Sequence, residues 1–227
     1  MWSPLNKIFE KLFYDRLYQC VECKSLLSKH QYGFRAKVST EFAIYDIVKC
    51  ILENLDQKIP TCAVFLDLSK AFDTVDHSVL LWKLEHCYGI RGLPLQLFEN
   101  YLHRWEQYTV VNKCRSQTQH INCGLPQGSI LSPLLFSLYV NDLPKVSNFK
   151  TTLFADDTCL ILANKNIDIL EKMVDQEIKV DSWMRHNKLS LHYSKTVYMI
   201  FSSDMKQSSP FRVQISSHLI NRVNSTK

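Results

Sequence analysis

Glycine and proline are scarce in this chain of 227 residues, at 5 and 7, and no stretch is of low complexity before the serine-rich end. That composition excludes a collagen-like or linker-like polymer. With 46% apolar residues it describes a folded globule, long enough for one large domain or two small ones. Long apolar runs are missing too. The most apolar segment, Ile130 to Val140, is shorter than the roughly 20 residues a bilayer span needs, and Ser132, Pro133 and Ser137 interrupt it. Met1 is followed by Trp2-Ser3-Pro4 and an amphipathic run, without the basic, apolar and small-residue succession of a secretory leader. The expectation is a cytoplasmic or nuclear protein that is not secreted and makes no use of a membrane.

Paired metal-binding cysteines are also lacking. The eight cysteines, at 20, 23, 50, 62, 87, 114, 123 and 159, fall mostly inside apolar periodic segments, as reduced, buried thiols do. Cys20 and Cys23 make one CxxC, but a zinc site needs a second pair of comparable spacing and none follows. Charge is present in both signs, 27 basic against 22 acidic residues, a net +5. It is spread unevenly: residues 61–164 hold 8 basic and 9 acidic side chains, whereas residues 202–227 hold 4 and 1. A basic chain with an acidic middle suits a nucleic-acid enzyme whose centre binds cations.

Apolar residues recur every three or four positions at Leu5, Ile8, Phe9, Leu12, Phe13 and Leu17, which predicts a helix from about Pro4 to Cys20. A second helix is expected from about Thr40 to Gln57, with Ala43, Ile47, Val48, Ile51, Leu52 and Leu55 on one face and Ser39 as N-cap. Thr61 to Leu68 is too short and too β-branched for a helix and reads as a buried strand. Helices are expected at about His77 to Cys87, capped by Asp76, at about Leu95 to Arg104, and from Ser132-Pro133 to Asp142. Gln107 to Asn112 and Gln119 to Cys123 read as a strand pair. Thr151 to Ala155 and Thr158 to Ala163 read as short strands flanking Asp156-Asp157. A helix over about Asp168 to Asn187 then leads to strands at Val197 to Phe201 and Phe211 to Ile215. Strands in pairs, separated by irregular helical insertions, describe an α+β fold.

Carboxylates in the apolar strands stand out. Asp67 lies near the end of one, and Asp156-Asp157 lie in the tight connection between two others. Desolvated carboxylates are costly unless something compensates, and a divalent cation does so well. Three Asp oxygens from two neighbouring strands suit Mg²⁺, which prefers hard oxygen ligands and leaves room for water and phosphate. Two such ions about 3.5 to 4 Å apart can activate a primer 3′-hydroxyl and stabilise departing pyrophosphate. Aspartate is also common in hairpin turns, so Asp156-Asp157 alone leaves that plainer reading open.

The segments taken in order narrow the choice. GFR at 33–35, FLDLSKAFD at 65–73, GLPQGS at 124–129, FADD at 154–157 and Lys195 together resemble the reverse transcriptase domain of non-LTR (LINE-type) retrotransposons, over nearly the whole chain. The resemblance implies the fingers and palm of a right-hand polymerase, with an antiparallel palm sheet backed by helices. It implies an RNA template, a DNA primer and deoxynucleoside triphosphates as partners, with two Mg²⁺ ions, or Mn²⁺ in their place, as cofactors. Asp67 and Asp156 match the two principal metal ligands, Asp157 the third carboxylate, and Leu68 a backbone-carbonyl ligand. Phe72 stands where similar enzymes put a ring beneath the nucleotide sugar, excluding a 2′-hydroxyl. Gln127 and Gly128 would flank the nascent base pair, Arg35 and Lys37 would grip the triphosphate, and Lys195 would protonate pyrophosphate. Plainer readings are a core aromatic for Phe72 and solvated cations for Lys37 and Lys195.

On this resemblance, residues 1–60 are partial fingers, 61–201 the palm with a finger-like helical insertion at about 77–123, and 202–227 a polar tail leading toward a primer-holding hairpin and thumb. Relatives often carry an endonuclease domain upstream. An incomplete polymerase body is expected to bind template and primer poorly and to lack processive synthesis. A catalytically silent remnant, or a nucleic-acid-binding module with the same fold, is the alternative.

Overall fold

The computed structural model describes residues 4–36, 38–103, 106–177, 180–203 and 211–224. In chain order the first elements are α1 (Pro4–Cys23), α2 (Thr40–Asp56), β1 (Thr61–Leu66), α3 (His77–His86), α4 (Leu93–His103), β2 (Glu106–Gln107), β3 (Val110–Val111), β4 (Cys114–Arg115), β5 (Gln119–His120) and α5 (Ser132–Val140). A 3-10 turn (Leu143–Lys145) follows. Then come β6 (Lys150–Phe154), β7 (Asp157–Ala163), α6 (Ile167–Glu177), α7 (Val180–His186), β8 (Val197–Phe201), β9 (Val213–Ile215) and β10 (His218–Arg222). Two compact units are interleaved in sequence: Met1–Leu27 with Lys70–Tyr139, and Ser28–Ser69 with Val140–Lys227.

The second unit is built on a sheet of order β6-β7-β1-β8-β10-β9. Its first four strands are antiparallel, β10 joins β8 in parallel, and β9 closes the edge antiparallel to β10. All residues of β1 but Phe65 are buried, as its apolar, β-branched run requires of a central strand. α2 lays Ile47, Cys50, Ile51 and Leu55 over Ala63, Phe65, Cys159, Ile161 and Phe201. Truncating Ile161 to Ala there would cost about 2–5 kcal/mol. α6 packs against β1, β7 and β9 and buries Leu170 and Val174 completely. The helical face expected for α2 is only partly the one used: Val48 and Leu52 stay about half exposed, because the apolar stripe is wider than the sheet beneath it.

The first unit centres on α5, a helix that is apolar on every side and buries Leu134, Leu135, Phe136, Leu138 and Tyr139. Its last carbonyls are met from α3 and the turn after it. The buried Lys83 ammonium donates to the Tyr139 carbonyl at 2.6 Å, and the Tyr88 hydroxyl to that of Leu138 at 2.6 Å. Orphan carbonyls at a helix C-terminus carry partial negative charge, so a cation is well placed there. Asp76 caps α3 as expected, accepting from the Val79 amide at 2.9 Å. On α1 the buried positions are Glu10, Leu17 and Val21, whereas Ile8, Phe9 and Leu12 are exposed. The sequence pattern had placed those three on the inner face. The expected strand pair after α4 is two short ribbons, β2 with β5 and β3 with β4. The helix expected at about 168–187 is seen as α6 and α7 on either side of residues 178–179, which lie outside the described residues.

All eight cysteines are free. Burial pushes the Cys62 thiol strongly upward and that of Cys159 up to about 12, so both stay protonated and inert. No helix among the described residues is long and apolar enough to cross a membrane.

Candidate active site

β6 and β7 are joined by the shortest of hairpins. Phe154 pairs with Asp157, leaving Ala155 and Asp156 as the turn, with Ala155 at φ 58°. A left-handed first turn residue is what a tight two-residue hairpin requires, and here alanine supplies it. The turn is backed by the GFR segment. Leu153 accepts from the Tyr32 amide and donates to the His30 carbonyl, each at 2.8 Å, so residues 30–32 run alongside β6. Gly33 then sits so close that an added Cβ would lie 2.2 Å from the Ala155 nitrogen. The glycine is needed for close backbone approach, a role that the sequence pattern alone did not assign.

β1 and β7 run antiparallel with Leu66 opposite Thr158. Continued by one residue, that register sets Asp67 opposite Asp157, with Asp156 adjacent. Directly opposed positions of antiparallel strands project from one face of the pair. The electrostatics agree: the Asp157 carboxyl is held above its usual range, first by partial burial and then by the charges of Asp156 and Asp67. Beyond Leu66 the strand changes partner. The Asp67 backbone carbonyl accepts from the His192 amide at 2.8 Å and its backbone amide donates to the Thr196 hydroxyl at 3.3 Å, and the Ser69 amide donates to the Ser190 carbonyl at 2.8 Å. Leu68, buried, bridges Leu191.

This exchange brings the segment carrying Lys195 to the backbone of Asp67. Lys195 donates its amide to the His192 carbonyl at 3.0 Å, and its side chain is exposed. Thr196, fully buried, is the link, and nothing in its sequence context announced it. Arg35 is half-buried, with Nη1 donating to the Ser28 carbonyl at 3.2 Å. Lys37 lies outside the described residues.

The other expected site residues belong to the α5 unit. The loop at 124–129 folds onto residues 72–75: Leu125 donates to the Phe72 carbonyl at 2.8 Å and Gly124 to that of Val75 at 2.7 Å. Gly124, at φ 89°, touches Asp73 so closely that a Cβ would meet its carbonyl oxygen at 2.8 Å. Gln127 donates from its side-chain amide to the Asp73 carboxylate at 3.2 Å, while Gly128, at φ 78°, faces open space. Phe72 is half-buried and stacks on Phe136. The loop is anchored from below by Glu10, Tyr101 and Ser129, which the sequence reading missed.

Asp67, Asp156, Asp157 and the Leu68 carbonyl offer only hard oxygen donors, the set that Mg²⁺ or Mn²⁺ prefers. Among the described residues no three His, Cys, Asp or Glu side chains are already drawn into a ligand cage. Register brings the aspartates to one end of the sheet, and closing three like charges onto one point depends on a cation between them.

The antiparallel sheet with its twin-carboxylate hairpin, facing an aspartate on the neighbouring strand, is that of a polymerase palm. Residues 1–215 match the reverse transcriptase (RNA-dependent DNA polymerase) family. Among curated relatives, the probable RNA-directed DNA polymerase from transposon X-element of Drosophila melanogaster is 30% identical over 98% of this chain and 25% of its own length. The RNA-directed DNA polymerase from mobile element jockey of the same species is 31% identical over 72% of this chain and 18% of its own. The chain thus spans about a quarter or less of those relatives. Among solved structures, telomerase from Candida tropicalis in complex with a fragment of telomeric RNA aligns with a TM-score of 0.62, at 12% identity, over 90% of this chain and 35% of that one. Telomerase from Candida albicans aligns with a TM-score of 0.58 at 15% identity, over 93% of this chain and 36% of that one. The chain belongs to the reverse transcriptase (RNA-dependent DNA polymerase) family.

Proposed function

We propose that this chain forms the catalytic palm and part of the fingers of an RNA-directed DNA polymerase, extending a DNA primer on an RNA template. The observation that carries it is the register that pairs Leu66 with Thr158, so that Asp67 follows the end of β1 beside Asp157 at the start of β7, with Asp156 in the turn. Asp67, Asp156 and Asp157, with the Leu68 carbonyl, would hold two divalent ions, Mg²⁺ or Mn²⁺. When bound, such ions lower the pKa of the primer 3′-hydroxyl and offset charge on the departing pyrophosphate.

The chain's own groups do the rest. Phe72 places a ring under the sugar and leaves no room for a 2′-hydroxyl. Gln127 and Gly128 present amide and open backbone to the nascent base pair. Arg35 and Lys37 contact the triphosphate, and Lys195 gives a proton to the leaving pyrophosphate oxygen. In this reading the fingers extend over residues 1–60 and the palm over 61–201, with nucleic acid as the macromolecular partner.

The test is primer extension on an RNA template with four deoxynucleotides. The enzyme is this chain joined to the primer-holding hairpin and thumb of a relative. Mg²⁺-dependent extension is expected, falling at least about 1000-fold in Asp156→Asn. A fusion that stays inactive with its carboxylates intact would contradict the proposal and favour a silent relative of the family.

A further inference from the structure

A buried carboxylate with no part in the metal site sits beneath the 124–129 loop. Glu10 is 3% exposed, on the inner face of α1 with Leu17 and Val21. Its Oε1 accepts from the Ser129 hydroxyl at 2.7 Å and from the Tyr101 hydroxyl at 2.8 Å, and its Oε2 accepts from the Ile130 amide at 3.3 Å. Burial drives the Tyr101 phenol well above its usual range, so it stays a proton donor under all ordinary conditions. A carboxylate this deep is tolerated only where donors meet it, and here three do.

Ser129 relays the constraint. Its hydroxyl oxygen accepts from the Leu131 amide at 3.0 Å and the Ser132 amide at 3.2 Å, the first amides of α5. Ser132 in turn donates its hydroxyl to the Pro126 carbonyl at 2.8 Å, and the Ser129 amide reaches the same oxygen at 3.3 Å. Pro126 is thus tied down on one side of Gln127 and Gly128, and Ser129 on the other. Among the described residues the two between carry no such ties: Gln127 is exposed and reaches only Asp73, and Gly128 faces open space.

We propose that Glu10 is a positioning residue: through Ser129 it fixes the shape of the loop that presents Gln127 and Gly128 to the incoming nucleotide and its template base. This rests on the reading of that loop as a nucleotide contact. A carboxylate is needed because it offers two acceptor oxygens, one for Ser129 and Tyr101 and one for Ile130, where glutamine offers a single one.

The experiment is site-resolved amide hydrogen exchange on the 227-residue chain, comparing Glu10→Leu, Glu10→Gln and Ser129→Ala. Glu10→Leu is expected to speed exchange at Ile130, Leu131 and Ser132 by about 10-fold or more, with Leu138 and Tyr139 of the same helix nearly unchanged. Glu10→Gln retains an acceptor for Ser129, so it should restore protection at Leu131 and Ser132 but not at Ile130. Ser129→Ala should reproduce the loss at Leu131 and Ser132. Should Glu10→Leu not fold, the split between Ile130 and its neighbours in Glu10→Gln decides alone. Exchange raised equally through the unit, or unchanged at the loop, overturns the proposal. In the fusion that carries a relative's primer-holding hairpin and thumb, adding Mg²⁺, deoxynucleoside triphosphate and an RNA–DNA duplex should deepen protection at Gln127 and Gly128, and less so with Glu10→Leu. No response in the fusion with Glu10 intact would overturn the nucleotide reading of the loop, and the exchange comparison in the 227-residue chain would still decide whether Glu10 anchors it.

Discussion

Phe72 stacks on Phe136, with ring centroids 4.6 Å apart and planes 24° from parallel. Phe136 is fully buried in α5, so the ring expected to sense the sugar is backed by the packed core of its unit. A steric test of a 2′-hydroxyl works only if the testing group cannot move away. Phe72→Val is therefore expected to lower discrimination against ribonucleotides by about 10- to 100-fold. Phe136→Leu, which only loosens the support, should lower it by less. Competing incorporation of ribo- and deoxynucleotides by the extending fusion measures both. Undiminished exclusion in Phe72→Val would remove Phe72 from the role.

Gly33 fixes the position of the Ala155-Asp156 turn by having no side chain. The atoms a Cβ would strike, the nitrogen and Cα of Ala155 and the carbonyl carbon of Phe154, are all backbone, so the turn itself would have to shift. Gly33→Ala is expected to cost about 1–3 kcal/mol in urea unfolding. It should also weaken Mn²⁺ binding, because Asp156 moves with the turn. A variant unchanged in both would show that the contact is not tight in solution.

His77 gives the stability a pH dependence of known sign. It is 2% exposed, its Nε2 lies 2.7 Å from the Gly124 carbonyl, and its Nδ1 is buried without a hydrogen-bond partner among the described residues. Since a carbonyl only accepts, Nε2 carries the proton and Nδ1 is bare in the neutral ring. Burial, the largest effect, holds its pKa below the usual 6.5 against the opposing Gly124 carbonyl, with the neighbouring His103 lowering it and Asp76 raising it by less. The unfolded chain takes up this proton near its ordinary pKa and the folded chain only at lower pH. The contribution is thus complete above about 6.5 and is lost as pH falls through the depressed folded value. The urea midpoint should drop between pH 7.5 and pH 5 by more than in His77→Gln, whose amide can still donate to Gly124. An identical drop in the two proteins would contradict this.

The parts of this design that are legible in the sequence are those where a residue violates its surroundings. Asp67 in an apolar strand and Asp156-Asp157 between two others announce a candidate site. Whole-element phase was harder to read. α1 and α2 carry more apolar residues than their units bury, so Ile8, Phe9, Leu12, Val48 and Leu52 marked a face that is not the inner one. Glu10 shares its helical phase with Leu17 and Val21, a charged residue at an inner position, and that mismatch was the available signal for the loop anchor. The parallel pairing of β10 with β8, Asn221 opposite Val197, depends on distant contacts that no local pattern encodes.

The most direct test of the central claim, that Asp67, Asp156 and Asp157 form one divalent-metal centre, is iron-directed backbone cleavage. Ferrous ion is supplied in place of Mg²⁺, with ascorbate and peroxide, and the fragments of the 227-residue chain are mapped. A shared site should yield cuts near residue 67 and near residues 156–157 together. Both should be suppressed by excess Mg²⁺, and both should be lost in Asp156→Asn. Cleavage at only one of the two places, or cuts near residue 67 that persist in Asp156→Asn, would contradict it.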